Sequence, residues 1–353
     1  MHPSSGGWHA HAIRGARVAF GSDAAGAHAL RYWRTANAVS TQRRHADHWR
    51  RFEAFCAARG RQAMPAAAHT VAAYFAALAA RFRRTRTGPS ARSHKVISAA
   101  INRVHKDMGF GAPALADVVK QVKRGIVAEQ ADMELTRPAR TYLPVDALIR
   151  ILELAETSTD VDLLADAAAV LFAYVTFARK STSAAVQEQD VYREPRGGLT
   201  YSERFFKGRA RRTVHRRIFR FAREAFPRVQ AAIRRFCALR GRVRATAPCF
   251  APAGERARSP PRQLARILRR IGCVPPPQCY YSWHSLRKAA ATHAYALCVR
   301  YPTICAYGGW SVASNVAYAY IDALAARDRR ARVFFGWLAP PGDDARLGDA
   351  DDT

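Results

Sequence analysis

Helical periodicity of the apolar residues is the feature that most constrains the fold of this chain. Between residues 40 and 125, four segments bring apolar side chains to one helix face at intervals of three or four residues. The segments are 40–60, 69–82, 90–109 and 114–125. Their opposite faces carry Arg, Lys and His. The pattern predicts a four-helix domain with a basic surface over residues 40–132, and it leaves the Gly-, Ala- and His-rich residues 1–39 unassigned.

The rest of the chain predicts a second domain with a different composition. The periodicity disappears at residues 133–143, which we interpret as a linker. Helical patterns at 145–156 and 162–181 precede a segment rich in Val, Tyr, Phe and Thr, which predicts a small antiparallel sheet. Helices are predicted again from about 222 to about 338. The fold class is therefore mainly α with a small antiparallel β-sheet, with an α+β domain at 144–340 and an acidic, disordered tail at 341–353.

Charge and composition narrow the class of partner. The formal net charge is +30 and the isoelectric point is near 11.0, and phosphate backbones are the usual partners of such an excess. A genome composition that favours Arg codons would explain part of the same excess. Seven cysteines at irregular spacing do not indicate a disulfide framework. No apolar run approaches a membrane span, and we interpret "AAAVLFAYVTFA" as a buried core helix.

Four separated elements carry residue types suited to phosphate chemistry. Arg179 ends the long apolar helix in "FARKST", and Lys207 lies in the predicted hairpin. His284 and Arg287 are three apart in "WHSLRKAAATHA", so both project from the same side of one helix. Each residue also has an ordinary structural interpretation, as a helix-end charge, a surface hairpin residue or a core side chain.

The fourth element is "GGWSVASNVAYAYID", in which a Gly-Gly turn precedes Trp310. A helix is predicted to carry Tyr318 and Tyr320. Residues two apart lie about 200° apart around a helix, so only one of the two phenols can face a given pocket.

Read in order, these elements resemble the tyrosine recombinases, also called phage integrases. The resemblance extends from about residue 40 and covers the helical domain, the linker and the catalytic domain. The family's first box is an Arg followed by a small residue and an acid, and it is matched by Arg179 and Ser181, whereas Thr182 stands in the acid's place. The hairpin Lys, the His-x-x-Arg box and the later Trp match the residues named above. The spacing would put the nucleophile at Ala319, and the "YID" context favours Tyr320 over Tyr318.

The resemblance implies a core-binding domain at 40–132 and a catalytic domain at 144–340 that cut and rejoin DNA through a covalent 3′-phosphotyrosyl intermediate. In that chemistry Tyr320 attacks the scissile phosphate, Arg179 and Arg287 hold its oxygens, and Lys207 protonates the leaving oxygen. His284 assists proton transfer, and Trp310 contacts the phosphate. No metal and no cofactor are implied.

The implied partner is double-stranded DNA with a specific recombination site, bound by a homotetramer on paired sites during integration, excision or inversion of a mobile element. The segment "RRARVFFGWLA" is expected to dock on a neighbouring subunit. Alternatively, Phe334, Phe335 and Trp337 cover their own domain. The expected location is intracellular, with DNA, in a nucleus or a nucleoid according to the host.

Three other interpretations stay open. A zinc site formed by Cys273, Cys279, His284 and His293 matches no common ligand spacing. A type IB topoisomerase or a hairpin-end resolving enzyme would share the fold and the nucleophile. A noncatalytic DNA-binding protein descended from a recombinase would account for Thr182 and for the shifted tyrosine.

Overall fold

The computed structural model describes residues 23–35, 39–85, 93–132, 138–194, 198–203, 217–254, 256–322, 329–335 and 338. Over these ranges the chain is mainly helical with a small antiparallel sheet, so the predicted fold class is confirmed. Two compact units divide between Thr136 and Arg137. Each unit has its own hydrophobic core.

The first unit is built from α-helices. They are α1 (Ala24–Thr35), α2 (Val39–Ala57), α3 (Ala68–Thr85), α4 (His94–Asp107) and α5 (Asp117–Asp132), with a 3-10 turn at Pro113–Leu115. Its core is formed by the apolar face of each periodic segment, including Trp49, Phe52, Phe75, Ile97 and Ile101. Because these residues recur once per turn, the helices pair through their apolar stripes.

One helix in this unit was not predicted, and one helix end was predicted too early. Helix α1 lies in the stretch that was left unassigned. Helix α5 was expected to stop at Gly125 but continues to Asp132. A glycine inside a helix is unfavourable by about 1 kcal/mol relative to alanine. Burial of the next residue, Ile126, offsets that loss.

His94, the first residue of α4, is buried without a polar partner. Neither ring nitrogen has a hydrogen-bond partner among the described residues, and the ring lies 4.9 Å from that of Phe75. Burial, with a smaller contribution from the Lys123 ammonium group, lowers the pKa of His94 to about 4. The imidazole is therefore neutral in the folded unit near neutral pH.

We expect acidification to destabilise the first unit through His94. A histidine whose pKa is lower in the folded state than its unfolded value of 6.5 stabilises the fold above pH 6.5, and that stability is lost as the pH falls toward 4. The residue contributes a slope of up to about 1.4 kcal/mol per pH unit. The amide-exchange protection of α4 should fall between pH 6.5 and 5, and it should fall less in His94→Phe than in the wild type. His69→Phe, at an exposed position, is the control, and an equally reduced fall in both variants would contradict the assignment.

The second unit combines helices with two small sheets. Its longer helices are α6 (Val145–Thr157), α7 (Val161–Val175), α9 (Pro227–Arg240), α10 (Pro260–Arg270), α11 (Trp283–Ala296) and α12 (Tyr301–Gly308). Its short helices are α8 (Lys180–Ser183) and α13 (Arg332–Phe335), with 3-10 turns at Glu188–Asp190, Tyr318–Tyr320 and Arg329–Ala331. Its strands are β1 (Ala139–Arg140), β2 (Val191–Arg193), β3 (Leu199–Glu203), β4 (Arg217–Phe221) and β5 (Cys279–Tyr280).

The sheets confirm one prediction and correct another. Strands β2, β3 and β4 form the expected antiparallel sheet, in sequence order. Strand β1 pairs in parallel with β5, and Leu143 is buried in the second core. Residues 138–143 therefore belong to the second unit and not to a linker, because their backbone bonds and apolar side chains are used there.

Helix α7 is the centre of the second core. Every residue from Leu163 to Val175 is buried, as expected for the most apolar segment of the chain. The neighbouring helices α6, α9, α10 and α11 pack around it. Across the described ranges, the helices fall short of the length and apolarity needed to cross a bilayer.

The C-terminal aromatic residues lie inside their own unit. Phe334 is 0% and Phe335 1% exposed, and both rings contact that of Tyr174 on α7. The expectation that these two residues dock on a neighbouring subunit is therefore wrong, because they cover the apolar surface of α7 at Tyr174 in their own unit. Trp337 and the acidic tail at 341–353 lie outside the described residues.

An ionic cluster joins the sheet to the end of α9. The Glu188 carboxylate accepts from Arg240 Nη2 at 2.8 Å and from Arg193 Nη2. The Arg240 side chain is 1% exposed, and that of Glu188 is 18% exposed. The carboxylate therefore balances a guanidinium that has been removed from water.

We expect Glu188→Gln to destabilise the protein by about 3 kcal/mol, because it leaves Arg240 buried without a counter-charge. Chemical denaturation measures the free energy of unfolding. Glu156→Gln is the matched control: Glu156 accepts two hydrogen bonds from Arg228 on a more exposed surface, so its loss should change the stability by less than about 1 kcal/mol. Equal losses in the two variants would contradict the prediction.

Candidate functional site

The start of α11 presents His284 and Arg287. Ser285 Oγ accepts from the Ser282 backbone N–H at 3.0 Å and fixes the first turn. Ala289, Ala290 and Ala294 lie further along the helix and are fully buried, which lets α11 approach its neighbours closely. The alanine-rich face is thus the packing surface that holds the two polar side chains in place.

Arg287 is a buried cation whose orientation is fixed by backbone. The side chain is 2% exposed, and Nη1 donates to the Phe177 carbonyl at 2.5 Å. Nη2 donates to the Gly308 carbonyl. The guanidinium carbon lies 4.2 Å from the Trp310 ring centroid and 5.4 Å from that of Tyr320. Carbonyl oxygens and aromatic faces stabilise a cation without neutralising it, so the guanidinium keeps its positive charge.

Arg179 lies just beyond the turn that provides one of these carbonyls. Helix α7 ends at Val175 and not beyond Arg179 as predicted, and Phe177 has a left-handed φ of 53°. A bulky residue is strained in this region. The turn aims the Phe177 carbonyl at Arg287, and Arg179 becomes the N-cap of α8. Trp283 Nε1 donates to Ser183 Oγ at 3.1 Å, which ties α8 to the start of α11.

Trp310 packs directly on Gly308. A Cβ at position 308 would lie 1.9 Å from Trp310 Cε3, so only glycine fits beneath the ring. The same glycine supplies the second carbonyl to Arg287. Gly309, with φ of 58°, ends α12 in the left-handed conformation and returns the chain over it. The Gly-Gly pair therefore sets the position of the indole above the guanidinium.

The two candidate tyrosines have different surroundings. Tyr320 Oη lies 2.6 Å from His284 Nε2, and its ring centroid is 4.8 Å from that of Trp310. Tyr318 is 55% exposed and stacks on Tyr301 at 4.6 Å. Both lie on a 3-10 turn rather than on the predicted α-helix. The turn brings Tyr320, and not Tyr318, into the cluster with His284, Arg287 and Trp310.

This cluster is suited to nucleophilic chemistry at an anionic centre. A phenol that is hydrogen-bonded to an imidazole can transfer its proton as it attacks. The planar guanidinium beside it matches the oxygens of a phosphate, and it remains charged at every working pH. Its bonds to two backbone carbonyls fix the guanidinium before any ligand arrives.

A carboxylate contacts Thr182, the residue that stands where an acid was expected. Thr182 Oγ1 donates to Glu203 Oε1 at 3.1 Å, and both residues are buried. Glu203 is the last residue of β3, so the acid comes from the sheet and not from the box itself. The sequence offered no signal for this pair, because its members are separated by the whole of β2.

The remaining candidates are the hairpin residue Lys207 and the zinc ligands. Lys207 lies outside the described residues. Across the ranges given above, no group of three or more His, Cys, Asp or Glu side chains is placed to hold a metal ion. Of the zinc candidates, His284 contacts Tyr320, and His293 Nδ1 lies 2.7 Å from Tyr174 Oη.

Two residues of α11 that the sequence did not identify hold the segment around Tyr320. Thr292 bonds to the backbone at Tyr320 and Asp322, and Lys288 forms an ion pair with Asp322. A signal was present, because Lys288 and Thr292 follow His284 at intervals of four and therefore share its helix face.

Comparison with known proteins gives the following similarities. No family model and no curated protein matches the chain. Among solved structures, the chain is similar to XerA recombinase, with 16% identity over 87% of this chain and 94% of that chain, at a TM-score of 0.39. It is also similar to the XerH site-specific recombinase bound to a palindromic difH substrate in a post-cleavage complex. That similarity has 13% identity over 77% of this chain and 68% of that chain, at a TM-score of 0.46.

We expect Gly308→Ala to displace Trp310 and to destabilise the protein by about 1–3 kcal/mol, because the added methyl group overlaps the indole ring. Thermal unfolding measures the loss, and the 19F NMR shift of fluorotryptophan at position 310 reports the displacement. Gly125→Ala is the control: nothing lies within 4 Å of its Cβ position inside α5, so it should stabilise the protein by up to about 1 kcal/mol. An unchanged Trp310 resonance in Gly308→Ala would contradict the prediction.

Proposed function

We propose that this protein is a tyrosine recombinase, which cleaves and rejoins DNA strands through a covalent 3′-phosphotyrosyl intermediate. One observation carries the proposal: the Tyr320 hydroxyl lies 2.6 Å from His284 Nε2, beside the buried Arg287 guanidinium. The motifs that resemble this family contribute these three side chains from two remote segments, and the fold brings them together.

The reaction follows from the residue types. Tyr320 Oη attacks the scissile phosphorus while its proton passes to His284, and a phosphotyrosine bond forms as the bond from phosphorus to the 5′ oxygen breaks. Arg287 and Arg179 hold nonbridging oxygens and stabilise the charge of the transition state. Lys207 gives its proton to the departing 5′ oxygen. A second 5′ hydroxyl reverses these steps on another strand, so no energy source is needed.

Trp310 completes the pocket in this proposal. Its ring already contacts both neighbours, with its centroid 4.2 Å from the Arg287 guanidinium carbon and 4.8 Å from the Tyr320 ring centroid. The indole N–H is a donor for a phosphate oxygen, and the ring excludes water from one side of the pocket.

Double-stranded DNA is the proposed substrate because the first unit exposes several cationic side chains and the whole chain has a large excess of Lys and Arg. In the first unit Arg43, Arg44 and Arg51 on α2 and Arg81 and Arg84 on α3 are exposed. Across the whole chain 57 Lys and Arg residues outnumber 27 Asp and Glu residues. Release of counterions from the phosphate backbone favours binding by such surfaces. The same proposal includes a specific paired site, a homotetramer on that site, and integration, excision or inversion of a mobile element.

A noncatalytic DNA-binding protein is the second candidate, and Thr182 is the observation that favours it. The hydrogen bond from Thr182 to the buried Glu203 carboxylate argues against loss of the site, because an acid is still present there. Without catalysis, the arrangement of His284 and Tyr320 would have no use.

The test is covalent trapping on DNA. The full-length protein, Tyr320→Phe and Tyr318→Phe are incubated, with a chelator present, with nicked suicide duplexes drawn from the DNA that flanks the gene. We expect a DNA-linked band on denaturing gels for the wild type and for Tyr318→Phe, and none for Tyr320→Phe. Tyr318→Phe is the matched control because it removes an exposed phenol two residues away.

Each other result has a definite meaning. Loss of the band in Tyr318→Phe alone would move the nucleophile to that residue. Binding of the duplexes by all three proteins without any adduct would replace the recombinase by the noncatalytic candidate. An adduct that only relaxes supercoiled DNA, with no need for a paired site, would indicate a topoisomerase.

A further inference from the structure

One face of α11 contacts the tyrosine segment at three successive turns. His284, Lys288 and Thr292 are spaced by four residues and lie above one another on the helix. His284 contacts the Tyr320 hydroxyl, Lys288 the Asp322 carboxylate, and Thr292 the intervening backbone. The helix that carries the proton acceptor therefore also carries the groups that fix the segment bearing the phenol.

Thr292 makes two hydrogen bonds to this segment. Its hydroxyl donates to the Tyr320 carbonyl at 3.2 Å and accepts from the Asp322 N–H at 3.0 Å. The side chain is fully buried, so water does not replace either bond. A single hydroxyl oxygen both donates and accepts here, which a methyl group in its place cannot do. The backbone on the C-terminal side of Tyr320 is thereby tied to α11.

The Lys288–Asp322 pair acts on the same segment. Lys288 Nζ lies 3.5 Å from Asp322 Oδ2, with side chains 23% and 33% exposed. Partly exposed pairs add little stability. The Lys288–Asp322 pair instead restrains the position of Asp322, whose backbone N–H already donates to Thr292.

The N-terminal side of the segment has its own support. Tyr301 on α12 donates to the Ser314 carbonyl at 3.3 Å and stacks on Tyr318 with an interplanar angle of 16°. The stack holds the N-terminal end of the 3-10 turn against Tyr301, the first residue of α12. Thr292 provides the second fixed point, on the far side of Tyr320.

We propose that Thr292, supported by the Lys288–Asp322 pair, is a positioning residue that holds the Tyr320 hydroxyl at His284 and Arg287. The inference rests on the proposed function and deepens it. A shift of the phenol by about 1 Å can reduce a rate about 100-fold while binding is unchanged. Thr292 should therefore govern the rate of phosphotyrosine formation and not the affinity for DNA.

The experiment compares Thr292→Val, Thr292→Ser and the control Thr176→Val in the full-length protein. Valine keeps the shape of threonine but neither donates nor accepts, whereas serine keeps the hydroxyl. Thr176 is also buried, and from the C-cap position of α7 its hydroxyl donates to the Phe172 carbonyl. Single-turnover adduct formation on the suicide duplex, duplex affinity, and hydrogen exchange of residues 318–322 are measured for each.

We expect Thr292→Val to slow adduct formation by about 10- to 100-fold with unchanged DNA affinity, and to raise hydrogen exchange at 318–322. Thr292→Ser should recover to within about threefold of wild type, and Thr176→Val should match wild type. A Thr292→Val rate equal to that of wild type would overturn the inference. Equal slowing in Thr176→Val would also overturn it, since the effect would then follow from any buried hydroxyl.

The remaining outcomes separate this inference from the proposed function. If the wild type forms no adduct, the proposed function fails, and hydrogen exchange alone decides whether Thr292 holds the segment. If Thr292→Val does not fold, Asp322→Asn replaces it, because it weakens the pair with Lys288 without changing a cationic residue. Slowing by Asp322→Asn at unchanged affinity supports the inference, and an unchanged rate overturns it.

Discussion

The buried guanidinium of Arg287 is the interaction on which the second unit's site depends. Removing a cation from water is unfavourable unless the protein supplies compensating contacts. Phe177, just beyond α7, and Gly308, at the end of α12, supply carbonyls, and Trp310 supplies an aromatic face. Two segments remote in sequence, at Phe177 and at 308–310, are therefore joined to α11 by one side chain.

The unusual backbone features of this region follow from that requirement. Phe177 adopts a left-handed φ that bulky residues avoid, and Gly308 lies where any side chain would overlap the indole. Each feature places a carbonyl on Arg287. Strained or crowded positions of this kind persist where the surrounding structure determines them. Their convergence on one cation distinguishes the site from an ordinary buried arginine.

The features that could be predicted from the sequence are those that depend on local residue patterns. Helical periodicity identified the four helices at residues 40–125 and the buried α7, and the spacing of His284 and Arg287 placed both on one helix. Periodicity did not locate the start of the second unit at 138–143, because β1 is defined by its pairing with β5. The roles of Gly308 and Glu203 were also beyond prediction, since each depends on a residue from another element. The choice between Tyr318 and Tyr320 rested on sequence context, whereas their different surroundings depend on a 3-10 turn with about 120° between residues.

The same geometry bears on whether Thr182 implies a decayed site. A lone substitution of the expected acid would leave the Arg179 region without a carboxylate. Here the Thr182 hydroxyl donates to Glu203, so a carboxyl oxygen from the last residue of β3 lies beside Thr182. Burial of both residues fixes that contact. Selection for DNA binding alone would act on surface cations, and it would give no reason to keep a buried Thr–Glu pair together with a phenol on His284. The pair therefore supports the proposed catalytic function over the noncatalytic candidate.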